Sequence, residues 1–343
     1  MKKIYLTVDT ECHDINNQDR YLWGRTRNGK EYGLRKYLEL GKELNIPINF
    51  FVDVAECGRY GVDFVKRIVD LIQSYGQPVY FHLHPNFITG DDERSFLWQY
   101  SREEKKEILA KAYNYYKEVT GLDHCVAFRA GRYGSDSELY ELISSVMGEG
   151  VIDLSYGYGN DKMCHLSYSE AGTINDIKRY KGCWLFPNTT YIALKFVRKF
   201  ILNVDTSQTT LSEYRRFIKK NKTDNIILTS HSWNFIKVYY FIKGRVWGNN
   251  SDVRKFRKMI SIAQSNGYQF ENLNKLDPQE ISGHDDSLYD LCSNFFERIL
   301  SVAANFIRFQ KIARLTRKYF IIYALFYIFL VLAIGGIIFM ILK

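Results

Sequence analysis

Paired cysteines are missing from this 343-residue chain. Its six cysteines, at positions 12, 57, 125, 164, 183 and 292, show no CxxC or other paired spacing. That excludes a disulfide framework and a zinc ribbon, and leaves the thiols as small reduced hydrophobes. Internal repeats and low-complexity tracts are absent as well. So are RNP-like, helix-turn-helix and zinc-finger patterns, and no nucleic-acid partner is expected. After Met1-Lys2-Lys3, the apolar run from Ile4 stops at Asp9, too soon for the core of a secretory signal.

What is present is an apolar, moderately basic chain. Hydrophobic residues make up 46%, aromatic residues 16% and charged residues 25%, enough for a sizeable core and too apolar for disorder. That length suits two domains or one large α/β barrel. Lys and Arg number 47 against 38 acids, a formal charge of +9, which attracts anionic lipid or phosphorylated ligands. The distribution of the basic residues favours lipid. From Tyr319 to Leu342 no residue is charged, and as a helix this stretch would span about 36 Å, enough to cross a hydrocarbon core of about 30 Å. A transmembrane anchor is expected there.

Residues 288–318 carry helical periodicity, with Leu288, Leu291, Phe295, Ile299, Val302, Phe306 and Ala313 largely on one face. From Arg298 onward every charge is basic (Arg298, Arg308, Lys311, Arg314, Arg317, Lys318), as in an interfacial helix against anionic headgroups. The surplus on this side of the span, against Lys343 alone beyond it, orients the N-terminal part toward the cytoplasm. The expected organisation is a catalytic domain over 1–276, a linker and basic juxtamembrane helix over 277–318, and a single-pass C-terminal anchor over 319–342.

Over 1–276, short apolar runs alternate with helical stretches. The runs are Ile4–Asp9, Ile48–Val54, Val79–His84, Val126–Gly131, Val151–Tyr156 and Asn225–His231. Helices are expected near 33–45, 61–76, 101–121, 136–149, 207–221 and 251–267. This alternation predicts parallel βαβ units, hence a doubly wound sheet or a (β/α) barrel. Residues 157–206 break the rhythm, with one extra strand expected near Gly182–Pro187.

Polar residues interrupt the runs at their C-terminal ends. Asp9 and Glu11 close the first, His82 and His84 the third, Arg129 the fourth and His231 the last, while Asp153 lies in the fifth. In a parallel α/β fold those ends meet on one rim. Alternate strand residues share a face, so His82 projects with His84 and Asp9 with Glu11. Two imidazoles and one carboxylate make a three-ligand metal site with a position left open, and the second carboxylate can serve as base.

Four segments together resemble the polysaccharide deacetylase family, related to chitooligosaccharide deacetylase. They are Val8-Asp9-Thr10-Glu11, Phe81-His82-Leu83-His84-Pro85, Phe128-Arg129-Ala130-Gly131-Arg132-Tyr133-Gly134 and Leu228-Thr229-Ser230-His231. The resemblance spans roughly residues 3–270 and implies a distorted (β/α)7-type barrel that hydrolyses the amide of an N-acylated amino sugar. It implies Asp9 as general base, His82 and His84 as metal ligands, His231 as general acid and Arg129 as the residue that holds the base. A backbone N–H near Arg132 or Tyr133 is implied as an oxyanion donor. Where the family usually has two adjacent acids, Thr10 stands here. Either Glu11 supplies the ligating carboxylate, or Asp9 does and Glu11 is the base.

Among the remaining residues, Trp233 and Trp23 could stack on a sugar ring or simply pack, Asp53 could support the site or cap a turn, and Asp153 could orient His231 or hydrogen-bond a loop. His13 and Asp14 follow the first motif and could line the mouth, but are read as a solvated loop, and His124, His165 and His284 as surface or structural residues. The basic clusters Lys195–Lys199 and Arg215–Lys222 are read as solvated or membrane-facing, and Tyr239–Trp247 as a membrane-facing loop. The expected function is hydrolysis of an acetyl or formyl group from an amino sugar, carried on a polyprenyl phosphate or a nucleotide. The expected cofactor is zinc, with cobalt, nickel or iron(II) fitting the same donors. The alternatives are an inactive barrel acting as a membrane-tethered sugar-binding scaffold, and a hydrolase of another amide or ester.

Overall fold

A computed structural model describes residues 2–195, 199–239, 245–281 and 286–315. The anchor read over 319–342 lies outside them, as do Arg317, Lys318, His284 and residues 240–244. Among the described residues, no helix is long and apolar enough to cross a membrane.

The expected strands form β1 (Lys3–Thr10), β2 (Asn49–Asp53), β3 (Val79–Leu83), β4 (Ala127–Ala130) and β5 (Ile152–Asp153). After them come β6 (Lys178–Tyr180), β7 (Cys183–Leu185), β8 (Thr190–Lys195), β9 (Lys199–Asn203) and β10 (Asn225–His231). The last four are β11 (Ile236–Tyr239), β12 (Arg245–Gly248), β13 (Gln269–Phe270) and β14 (Tyr289–Asp290). The main sheet runs β10-β1-β2-β3-β4-β5-β7-β6, parallel except for β6, with β13 added beside β1. Helices at Leu34–Leu44, Val62–Ser74, Arg102–Thr120, Ser137–Met147, Leu211–Lys220 and Asn250–Ser265 fall where the periodicity predicts them. Local chemistry sets their ends. Ser101 with Glu104, and Thr210 with Glu213, form capping boxes.

The barrel is a partly open one. Strand pairing does not join β10 to β7; the chain between β7 and the helix Leu211–Lys220 crosses the gap instead. The Ile227 amide donates to Thr189 Oγ1 at 2.9 Å, the Thr229 amide to the Val204 carbonyl at 3.0 Å, and the Thr206 amide to the Thr229 carbonyl at 2.9 Å. This segment also forms the hairpin β8–β9, with a bulge between Ile192 and Leu194. The sequence pattern did not separate this hairpin from loop.

Alternation along each strand sorts the side chains. Ile4, Leu6, Val8, Phe50, Val52, Phe81 and Leu83 pack outward under the helices. Tyr5, Phe51, Tyr80, Ala127, Ile152 and Ile227 form a second apolar cluster, inside the barrel. One or two steps further along the same strands, the inner positions become Asp9, Asp53, His82 and Arg129, all buried. The barrel interior is therefore apolar at its base and ionic at the rim.

The stretch expected to be a linker makes specific contacts. The Asp286 carboxylate accepts from the amides of Ile174, Asn175 and Asp176 and from Thr173 Oγ1. Next, β14 pairs with β8 and Leu291 and Cys292 are buried. The helix Phe295–Leu315 then lies along the helix Leu211–Lys220. Lys220 Nζ lies 2.6 Å from Glu297, and the Arg308 guanidinium holds both Glu213 oxygens, at 2.6 and 2.7 Å. Arg216 donates to the Leu291 carbonyl at 2.5 Å. Two of the cations in the Arg215–Lys222 cluster thus tie down the terminal segment, which corrects their reading as a free basic surface.

Candidate metal centre

Strand register assembles the site. Asp53 pairs in register with His82, and His82 with Arg129, across three neighbouring strands; on the other side, Asp9 pairs with His231. Five strand ends therefore deliver their polar residues to one place, four of them the ends that the sequence pattern singles out and the fifth that of Asp53.

Glu11, His82 and His84 converge. Nε2 of His84 lies 3.0 Å from Glu11 Oε2, and Nε2 of His82 lies 3.6 Å from Oε1. All three residues are at most 3% exposed. These are close approaches without hydrogen-bond geometry. His82 Nε2, both ring nitrogens of His84 and Glu11 Oε2 are buried without a hydrogen-bond partner. Orphaned donors that meet in this way fit a bound divalent cation, and two imidazoles with one carboxylate suit zinc. His82 Nδ1 sits 2.9 Å from the Arg129 carbonyl oxygen. With Nδ1 as the donor, Nε2 is left to face Glu11.

Asp9 lies beside this group with different partners. Its Oδ1 forms a buried ion pair with Arg129 Nη1, and His231 Nε2 lies 3.8 Å from Oδ2. Arg129, fully buried, also donates to Thr7 Oγ1 at 3.0 Å and to the Leu154 carbonyl at 3.3 Å, and its guanidinium stacks 4.5 Å over the Phe51 ring. Asp9, Glu11 and His231 make a second group of potential ligands. Thr10 is turned back to the Val8 carbonyl and takes no part.

Burial and charge set the protonation states. Burial disfavours charge on Glu11, but His13 beside it outweighs this and holds its carboxyl well below the usual range. Burial also opposes charge on His82, yet Asp9 and Glu11 push it up to about 9. Burial pulls His84 down to about 4. It raises Asp53 well above the ordinary value, with Glu56 close by.

Of two further residues nearby, His13 was weighed as a mouth residue and set aside, and Glu56 escaped the sequence reading. His13 is not a solvated loop residue: its Nε2 lies 2.7 Å from Glu11 Oε2. It adopts φ 57, its amide donates to Glu56 Oε1 at 2.8 Å, and its carbonyl accepts from Tyr60 at 2.7 Å. The regular spacing 9, 11, 13 was the available signal. Glu56, also buried, receives the Cys12 amide at 2.7 Å and so pins the turn after Glu11. No strand-end pattern marks it.

The remaining candidates divide. Trp233 lies 4.7 Å from the His231 ring and 5.4 Å from that of His13, at the mouth of the site. Trp23 is elsewhere, on a cavity of about 830 Å³ with Gln18 and Arg20. Arg132 and Tyr133 follow β4 with φ 54 and 59, a strained pair of left-handed residues, and Arg132 is exposed. Asp53 does both things considered for it: Oδ1 caps Ala55 at 3.1 Å and receives the His84 amide at 3.2 Å. Asp153 does not orient His231. Its oxygens accept from Ser155 and Tyr140, and Ser155 Oγ accepts the Ala130 amide at 2.8 Å. It therefore braces the strand that carries Arg129.

No family model and no curated protein matches the sequence. Solved structures do. A Mycobacterium smegmatis protein named as a polysaccharide deacetylase superposes with a TM-score of 0.50 at 14% identity, over 83% of this chain and 93% of its own. The fold is that of the polysaccharide deacetylases. Further matches are a family 4 carbohydrate esterase pseudoenzyme from Bacillus anthracis and the chitin deacetylase of Colletotrichum lindemuthianum. The former has a TM-score of 0.44 at 15% identity, covering 80% and 65% of the two chains, and the latter 0.40 at 12%, covering 83% and 92%. In this deacetylase-like barrel the ionic rim is the one place where buried, unpartnered ring nitrogens and carboxylates gather among the described residues.

Proposed function

We propose that the protein is a metal-dependent de-N-acylase that removes an acetyl or formyl group from an amino sugar. The observation that carries this is the meeting of unpartnered Glu11, His82 and His84 atoms beside an Asp9 already held by Arg129. Glu11, His82 and His84 would hold a divalent cation, which would supply Lewis acidity at the scissile carbonyl. Asp9 is the base, taking the proton of the attacking water, and Arg129 keeps its carboxylate oriented. His231, partly exposed at the mouth, gives a proton to the departing amine as the C–N bond breaks. Trp233 offers a sugar ring a flat apolar face beside His231. Thr10 leaves the donor set complete because Glu11 takes the ligand position and Asp9 the base position.

We further propose that residues 319–342 anchor the chain, with the barrel on the cytoplasmic side and a lipid-linked substrate within reach. The charge-free run and the basic residues before it support this. The test is elemental analysis of the full chain in detergent, together with release of acetate or formate from a panel of N-acyl amino sugars, lipid-linked and soluble. About one zinc or similar ion per chain, with release that His231→Ala abolishes while the ion is retained, supports the proposal. An ion-free protein after reconstitution refutes it.

A further inference from the structure

The helix Phe295–Leu315 is inside out. At about 100° per residue, Ser301, Ala304 and Arg308 share its inner side and lie against the barrel. Its outer side holds Phe295 and Phe296, 72% and 77% exposed, with Ile299, Leu300 and Val302 between 44% and 51%. An ordinary surface helix does the reverse, turning polar residues outward. Nearly half of the large hydrophobic residues that the described chain exposes belong to this one helix. A contiguous apolar surface of this kind marks a binding face.

We propose that this outer face is seated in the surface of a lipid bilayer. The adjoining stretch of sequence indicates the occupant. The described part of the helix runs to Leu315, and the charge-free run starts at Tyr319. Four peptide units reach no more than about 14 Å, so a span there brings the bilayer to the end of the helix. Beyond Glu297 the sequence carries no acid, and Lys311, Arg314, Arg317 and Lys318 precede the charge-free run, matching anionic headgroups. The inference rests on the membrane reading above and adds an orientation to it. The helix is antiparallel to Leu211–Lys220, because Glu297 meets Lys220 and Arg308 meets Glu213. That neighbour lies against the barrel wall, so the barrel rests side-on and the rim opens along the membrane surface. A sugar on a membrane-embedded carrier then approaches His231 laterally.

The test uses the full chain in phosphatidylethanolamine–phosphatidylglycerol vesicles. A fluorophore is placed at Phe296→Cys, and in a second variant at Leu122→Cys, an exposed position in the loop after the helix Arg102–Thr120; the six native cysteines are buried. Lipids with brominated chains should quench the probe at 296 to roughly half or less, as for an interfacially seated helix, and leave the probe at 122 unchanged. Retention of the chain after carbonate washing with an unquenched probe at 296 overturns the seating and spares the anchor. Release by carbonate overturns both. Cross-linking between two 296 positions without quenching assigns the face to a second copy instead.

Discussion

The main-chain oxygen of Arg129 lies 2.9 Å from Nδ1 of His82, while the side chain of the same arginine pairs with Asp9. One residue thus touches both the imidazole proposed as a metal ligand and the carboxylate proposed as the base. Removing the guanidinium leaves the Asp9 charge buried and unpaired. Arg129→Met is expected to cost about 3–5 kcal/mol of stability, read by urea denaturation. Adding Asp9→Asn should recover a large part of that loss. A double variant as unstable as the single one would show that packing over Phe51, rather than charge, dominates.

His82→Ala and Glu11→Gln should each reduce zinc affinity by more than about 100-fold, since each removes one of three donors. Asp9→Asn should leave affinity within a few-fold and abolish hydrolysis. Competition with a chromogenic chelator measures both. The reverse pattern would exchange the roles of the two carboxylates.

His13→Ala removes a group 2.7 Å from Glu11 Oε2. Partners behind a ligand typically contribute 10–100-fold to metal affinity, so a loss of that size is expected, with His13→Gln retaining part of it. Unchanged chelator competition would reduce His13 to a structural role.

Gly131 has no room for a side chain: a Cβ there would stand 2.6 Å from the His84 ring. Gly131→Ala should displace that imidazole and lower zinc content without unfolding the barrel. Elemental analysis beside circular dichroism checks this.

Burial raises the Asp153 carboxyl to about 6, against about 3.9 in an unfolded chain. The folded state therefore holds more protons in that window, and this residue's contribution to stability falls as pH rises from about 4 to 6 and stays low above it. Relative to Asp153→Asn, the wild type should gain stability on going from pH 7 to pH 5. Denaturation curves at the two pH values decide, and a constant difference contradicts the assignment.

How far the sequence led is plain from particular residues. Asp9, Glu11, His82, His84, Arg129 and His231 were legible because each ends an apolar run, and parallel strands carry run ends to a common rim. His13 was not, because a backbone at φ 57 returns to the site from beyond the strand. Nor were the partners of Asp153: Ser155 bonds it locally, two residues on, and Tyr140 reaches it from the preceding helix. The hairpin β8–β9 was hidden by its bulge, which breaks the two-residue alternation on which strand recognition depends.

Arg308 and Asp286 also bear on how the protein can be divided. A chain cut at residue 276 would keep every site residue yet leave Glu213 buried without its cation and the turn at 173–176 without its carboxylate. The smallest fragment that can be expected to fold therefore includes the helix with the greasy outer face, so solubility and integrity pull against each other in any attempt to express the barrel alone.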